Sequence, residues 1–118
     1  MDWTTITDPG ARFENVVACH LLKWCYFKQD DEGIEIELRY FRDVDKREVD
    51  FVIVENKQPI HFIGCKLSEK STSLSLRYLK KRFPHVAATQ VVLADDVDYI
   101  TKHDIRICSA SRLLNDFI

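Results

Sequence analysis

Two charged residues inside apolar stretches of the sequence are the first candidates for chemistry. Asp50 follows Val49 within VDFVIV, and Lys66 follows Cys65 within HFIGCKL. A buried charge without a partner is costly, so each residue requires an opposite charge, a metal ion or water. The pair therefore indicates either a structural ion pair between Asp50 and Lys66 or part of a functional site.

Alternating apolar and polar residues predict the strands that carry these two charges. The alternation covers residues 47–55, stops at a short polar turn, and resumes over 60–67 before a polar loop at 69–73. Residues 34–41 show the same period and precede them. Short connections favour hairpins, so three antiparallel strands are expected.

The direction of each side chain follows from this strand assignment. Successive side chains of a strand point to opposite faces of the sheet. Glu48 and Asp50 are therefore expected on one side of their strand, and Gly64 and Lys66 on one side of the next. An acid on one strand would then lie beside a lysine on its neighbour.

Helical periods before and after these strands complete the predicted fold. Apolar residues recur at spacings of three and four from 11 to 27, and again from 74 to 83 before a proline. Short apolar strands are expected at 87–93 and 105–108, followed by a closing helix that a serine caps. This order predicts the α/β class, with a mixed sheet flanked by helices on both faces.

The second predicted helix carries the main basic cluster of the chain. Its polar side contains Arg77, Lys80, Lys81 and Arg82. One interpretation is a solvated face with cations near the C-terminal end of the helix dipole. The other is a surface that contacts the phosphate backbone of a nucleic acid.

Length and composition are those of one ordinary globular domain, expected over 1–118. The chain has 118 residues, of which 46% are hydrophobic and 31% charged, and its formal net charge is −2. That charge argues against coating nucleic acid through a general positive field. No stretch approaches the roughly 20 apolar residues of a membrane span, and no secretory signal is recognisable, so we expect a cytoplasmic protein without a membrane partner.

The cysteines indicate a reduced protein without structural zinc. All four stand singly inside apolar periodic segments, where free cysteine behaves as a small buried hydrophobe. The sequence contains no close cysteine or histidine pair with zinc-ligand spacing.

Three ordered motifs give the chain a resemblance to a known family. They are RFENVVACHLLK, ELRYFRDVDKREVDFVIVENKQPIHFIGCKLS and SLSLRYLKKRF. They resemble the PD-(D/E)XK nuclease superfamily, and more closely the nuclease-like, uncharacterised domain found C-terminal to the ATPase module in prokaryotic AAA+ proteins. The resemblance implies a restriction-endonuclease-like fold and an AAA+ ATPase module as a partner. Because this chain has no GxxxxGK[ST] loop, that module would lie elsewhere in the same chain or in another.

The resemblance also implies a set of site residues. In the superfamily an aspartate near a strand end and an acid-x-Lys triplet on the next strand hold a divalent metal. Asp50 and Lys66 match these positions, Cys65 would offer its carbonyl oxygen, and Glu14 matches a helix acid that often joins the site. Glu14 has a second explanation, since an acid in the first turn of a helix stabilises the helix dipole. The metal-binding acid of the triplet is replaced by Gly64.

Two functions remain open at this point. The first is a catalytically inactive, nuclease-like accessory domain that binds nucleic acid or a protein and needs no cofactor. The alternative is a DNA nuclease that uses Mg²⁺ or Mn²⁺ with Glu14, Glu48, Asp50 and Lys66. Glu48 lies two residues from Asp50, about 6 to 7 Å along a strand, which is a long reach for sharing one ion. The missing acid at Gly64 favours the first function.

Overall fold

A computed structural model describes residues 9–67 and 72–117 of the chain. Most of the predicted polar loop at 69–73 lies outside the described residues. The helices are α1 (Pro9–Glu32), α2 (Leu74–Arg82) and α3 (Ala110–Asn115). The strands are β1 (Ile36–Arg42), β2 (Glu48–Glu55), β3 (Gln58–Lys66), β4 (Ala87–Val92), β5 (Asp98–Ile100) and β6 (Arg106–Ser109).

The strands form one mixed sheet in the order β1-β2-β3-β4-β6-β5. The first three are antiparallel, as the short predicted hairpins require. The strands β3, β4 and β6 run parallel, and β5 pairs antiparallel with β6 at the other edge. The predicted α/β class is confirmed, with helices on both faces of the sheet. The sequence did not predict β5, because this strand has three residues and all are exposed.

The two faces of the sheet carry separate apolar clusters. Helices α1 and α3 cover one face, where Leu21 and Leu113 are fully buried against sheet residues such as Ile63. Helix α2 covers the other face through Leu76 and Leu79. The sheet is therefore the middle layer of three, and a residue of β2 or β3 faces one helical layer or the other.

Helix α1 is longer than its apolar period predicts. It continues through polar residues to Glu32. Nζ of Lys28, one turn earlier in the helix, forms an ion pair with Oε1 of Glu32 at 3.1 Å. Gly33 then adopts a φ of +67° and donates its N–H to the carbonyl of Gln29 at 3.0 Å. A glycine in this left-handed conformation is a common helix end, so Gly33 sets the boundary.

A β-bulge interrupts the regular alternation of β2. The register between β1 and β2 shifts between Arg39 and Phe41, so residues 50–51 together face one residue of β1. As a consequence Val49 packs in the α2 cluster, whereas Phe51 packs on the α1 side. The predicted alternation through 47–55 is therefore wrong at residues 50–51. The expectation that Glu48 and Asp50 lie on one side of the strand depended on this alternation and no longer follows from it.

Candidate functional site

Asp50 lies at the bulge of β2, next to the backbone of β3. Its Oδ2 accepts a hydrogen bond from the backbone N–H of Cys65 at 2.6 Å. The ladder that pairs Phe51 with Ile63 places Asp50 opposite Gly64. A charged acceptor strengthens such a bond, so the carboxylate is held against this strand.

Lys66 ends β3 as an exposed residue. Among the described residues it forms no ion pair with Asp50, whose carboxylate is met by a backbone N–H instead. The structural ion pair that the sequence left open is therefore not formed.

Gly64 lies beneath α2 with little room for a side chain. A Cβ built on it would lie 3.1 Å from Cδ1 of Leu76 and 3.9 Å from Oδ2 of Asp50. Leu76 is fully buried. An acid at this position would therefore begin beside the Asp50 carboxylate, and the end of the Leu76 side chain would have to shift by a few tenths of an ångström to admit its Cβ.

Gln90 lies next to Gly64 on the neighbouring strand, so that Asp50, Gly64 and Gln90 form a row across the sheet. No sequence pattern had indicated a role for Gln90. It pairs with Gly64 across β3 and β4 and is fully buried. Its Oε1 accepts a hydrogen bond from the N–H of Ser73, the N-cap of α2, at 3.0 Å. Its Nε2 is buried without a hydrogen-bond partner among the described residues. The signal available in the sequence was a single amide inside the apolar run 87–93.

Glu14 and Asp50 both act electrostatically on the thiol of Cys65. Burial is the main cause that raises the pKa of Cys65, and the charges of Asp50 and then Glu14 raise it further. Glu14 and Asp50 therefore both lie within electrostatic range of Cys65, while the Asp50 carboxylate also lies beside the Cβ position of Gly64 that faces α2. Helix α1, as described, has no acid in its first turn, so the helix-dipole explanation of Glu14 is wrong.

Glu48 is engaged away from this neighbourhood. Its carboxylate lies 3.1 Å from Nε of Arg42 on β1, and its backbone N–H donates to Oγ of Ser75 at 3.1 Å. Within residues 9–67 and 72–117, no group of three or more histidine, cysteine, aspartate or glutamate side chains is arranged to hold a metal ion.

The predicted basic cluster on α2 divides into held and open cations. Nε of Arg77 donates to Oγ1 of Thr72 at 2.7 Å. Nζ of Lys80 donates to the carbonyl of Val86 at 2.8 Å, and only 12% of this side chain is exposed. Lys81 and Arg82 are exposed in the last turn of the helix. Sequence spacing could not separate the two kinds of cation.

A surface groove of about 560 Å³ runs along α2. We call it the α2 groove. Its lining consists of Leu74, Arg77, Tyr78, Lys80, Lys81, Pro84, His103 and Asp104. Asp104 lies 3.4 Å from Nζ of Lys80, so its charge is partly neutralised within the groove. The groove is therefore cationic with apolar walls.

The protein is of the α/β class, with a mixed sheet flanked by helices, and one family model matches most of its chain. Residues 9–113 match the family described as Domain of unknown function (DUF4143), and the chain belongs to this family. This is compatible with the resemblance to an uncharacterised domain. No curated protein and no solved structure matches the chain. No helix among the described residues is long and apolar enough to cross a membrane.

Proposed function

We propose that the chain is a nuclease-like accessory domain of an AAA+ ATPase-type protein, and that it binds nucleic acid without cleaving it. The observation that carries this proposal is the contact between Gly64 and Leu76. The position that would carry a second metal-binding acid has no side chain, and Leu76 lies so close that it would have to shift to admit one. What remains for function is binding, for which the α2 groove offers the surface.

The donor set around Asp50 is poor for a magnesium site. Mg²⁺ prefers near-octahedral oxygen ligation and is usually held by one or two carboxylates together with waters and substrate phosphates. One oxygen of Asp50 already accepts the N–H of Cys65, and the carboxylate of Glu48 is paired with Arg42. These contacts support an inactive domain.

One observation favours the alternative, a metal-dependent DNA nuclease. After burial, the charges of Asp50 and Glu14 both raise the pKa of the Cys65 thiol, which places the two carboxylates within electrostatic range of one residue. If both carboxylates turned toward one ion, the carbonyl of Cys65 would supply a third oxygen and Lys66 a cation. Such a site would need Mg²⁺ or Mn²⁺ to draw them together, so metal binding separates the two functions.

Metal titration tests the inactive state directly. We expect calorimetry of the wild type with Mn²⁺ to match that of Asp50→Asn, and neither protein to cleave single-stranded or duplex DNA. Saturable binding or cleavage in the wild type that Asp50→Asn abolishes would favour the nuclease. The substitution keeps the size of the side chain, so a change in signal reports the lost charge.

Nucleic-acid binding is tested by replacing open cations. The double variant Lys81→Ala, Arg82→Ala should bind a labelled oligonucleotide more weakly than the wild type, with a shallower dependence on salt. The matched control is Arg12→Ala, Lys23→Ala, which removes one exposed arginine and one exposed lysine from α1. Equal weakening in both variants would mean that net charge alone controls binding. An unchanged affinity in the α2 variant would leave a protein partner as the occupant of the groove.

A further inference from the structure

The α2 groove combines cations and apolar walls in a concave surface. Arg77, Lys80 and Lys81 are spaced at three and four positions, so they share a side of the helix. Leu74 contributes an apolar wall and is 77% exposed. Pro84 lies at the other end and is also exposed. A ligand that fills this groove must therefore present both negative charge and flat or apolar groups.

Tyr78 gives the groove an aromatic ring in a fixed position. The guanidinium carbon of Arg47 lies 4.0 Å from the centroid of this ring. Arg47 is itself held by Asp43, because its Nη1 donates a hydrogen bond to Oδ2 of Asp43 at 2.9 Å. The ring is therefore held at the edge of the groove with a cation–π contact over one face, so a base would have to contact its other face or its edge.

Nucleic acids of different form present these groups differently. A duplex presents phosphates outside and keeps its bases stacked inside, and its grooves admit a convex element such as a helix. A concave wall with an aromatic ring reaches bases only when they are unstacked. Proteins that bind single strands combine a positive groove for the backbone with aromatic side chains for the bases.

We propose that the α2 groove binds single-stranded nucleic acid, with phosphates near Arg77 and Lys81 and a base against Tyr78. This inference rests on the proposed function and narrows its ligand. Arg77 suits the phosphate role because Thr72 takes its Nε–H and so orients the guanidinium, leaving its terminal nitrogens as donors. Lys80 is held by Val86 and serves mainly to shape the wall.

Three probes of equal backbone length test the proposal by fluorescence anisotropy. They are a single strand of about 12 nucleotides, a duplex of the same sequence, and an abasic single strand. The intact single strand should bind at least about 5-fold more tightly than the abasic strand, since stacking of one base on an aromatic side chain contributes roughly that much or more. It should also bind more tightly than the duplex.

The outcomes separate this inference from the proposed function. Duplex binding that equals or exceeds single-strand binding overturns the single-strand assignment and leaves the proposed function standing. Equal binding of the intact and abasic strands overturns base contact. If none of the three binds, both proposals fail. A polyglutamate peptide that binds as tightly as the single strand would identify an acidic protein segment as the ligand and overturn the assignment.

Substitution of the ring provides the second arm. Tyr78→Phe should retain the preference for the intact over the abasic strand, whereas Tyr78→Leu should lose it. The matched control is Tyr26→Leu on α1, where the tyrosine is 62% exposed and remote from the lining of the groove. Thermal unfolding checks that each variant folds. If Tyr78→Leu does not fold, the abasic comparison in the wild type still decides. A preference that persists in folded Tyr78→Leu would overturn the role of the ring.

Discussion

The side chain of Leu76 fills the space beside Gly64, since a Cβ at position 64 would lie 3.1 Å from its Cδ1. This contact joins α2 to β3 at Gly64, the residue of β3 that lies opposite Asp50. It also couples two residues that the sequence separates by a loop and a helical turn. The packing of α2 on the sheet and the absence of a side chain at position 64 are therefore one structural feature.

Gly64→Ala should be more favourable in a Leu76→Ala background than in the wild type. The added methyl group meets Leu76 in the wild type, but in the variant it enters the space that the leucine vacates. We expect a coupling free energy of about 1 kcal/mol from a double-mutant cycle measured by urea unfolding. Leu76→Ala alone should cost about 2 to 5 kcal/mol, because the leucine is fully buried.

A matched cycle controls for general loss of packing. Leu79 is also buried on α2, but the nearest contacts of a Cβ at Gly64 are with Leu76 and then Asp50. Gly64→Ala combined with Leu79→Ala should therefore be additive within about 0.5 kcal/mol. Additivity in the Leu76 cycle would contradict the contact.

Lys80 should matter for folding, whereas Lys81 should not. Lys80→Met keeps the aliphatic stem but removes the donor to the carbonyl of Val86, a residue that is buried. Leaving a buried acceptor unpaired costs about 1 to 3 kcal/mol. Lys81→Met, on the exposed side of the same helix, should change the free energy of unfolding by at most about 0.5 kcal/mol. Chemical denaturation of both variants would check this, and equal losses would refute the division into held and open cations.

The spacing of apolar residues and the lengths of the turns were enough to predict most of the fold. The three antiparallel strands, the two longer helices and the strand at 87–93 all have apolar residues at a clear spacing. The bulge at residues 50–51 has no such signal, because it depends on pairing with β1. The strand β5 was missed because its three residues are exposed and bury no apolar side.

The candidate site was less predictable than the fold. Alternation and the resemblance predicted Asp50 beside Lys66, but the Asp50 carboxylate instead accepts the N–H of Cys65, a hydrogen bond that arises from local strand geometry. All four cysteines are free, yet Cys19 is exposed, contrary to the predicted burial. The roles of Gln90 and Leu76 depend on how α2 lies over the sheet, and this is a tertiary property that no local pattern records.

Stability should fall as the pH is lowered from 6.5 toward 4, because of His61. Burial is the main cause that lowers its pKa to about 4, and the charge of Arg106 lowers it further while Asp116 opposes the shift. Between these pH values the unfolded chain binds the proton and the folded chain does not, so acid favours unfolding. The full effect is on the order of 3 kcal/mol, at about 1.4 kcal/mol per pKa unit. It is present above pH 6.5 and lost by about pH 4.

The variant His61→Gln isolates this effect from the titration of carboxylates. Glutamine can still bond to Thr89, whose Oγ1 lies 2.8 Å from Nε2 of the histidine, but it does not titrate. The free energy of unfolding of the variant should depend less on pH over this window. Parallel pH profiles of the wild type and variant, measured by urea unfolding, would refute a role for His61.

Cys19 should be the one thiol that reacts rapidly in the folded protein. It is exposed on α1, whereas Cys25, Cys65 and Cys108 are buried. Burial raises the pKa of each of these three thiols, that of Cys108 to about 11, so little thiolate forms in them at neutral pH. A disulfide reagent should therefore modify one equivalent quickly and the other thiols only after denaturant is added. Cys19→Ser should abolish the fast phase and leave the urea midpoint unchanged, since an exposed side chain contributes little to stability. A fast phase that survives in Cys19→Ser would show that a second cysteine is accessible and that the packing of α1 against the sheet opens on the timescale of the reaction.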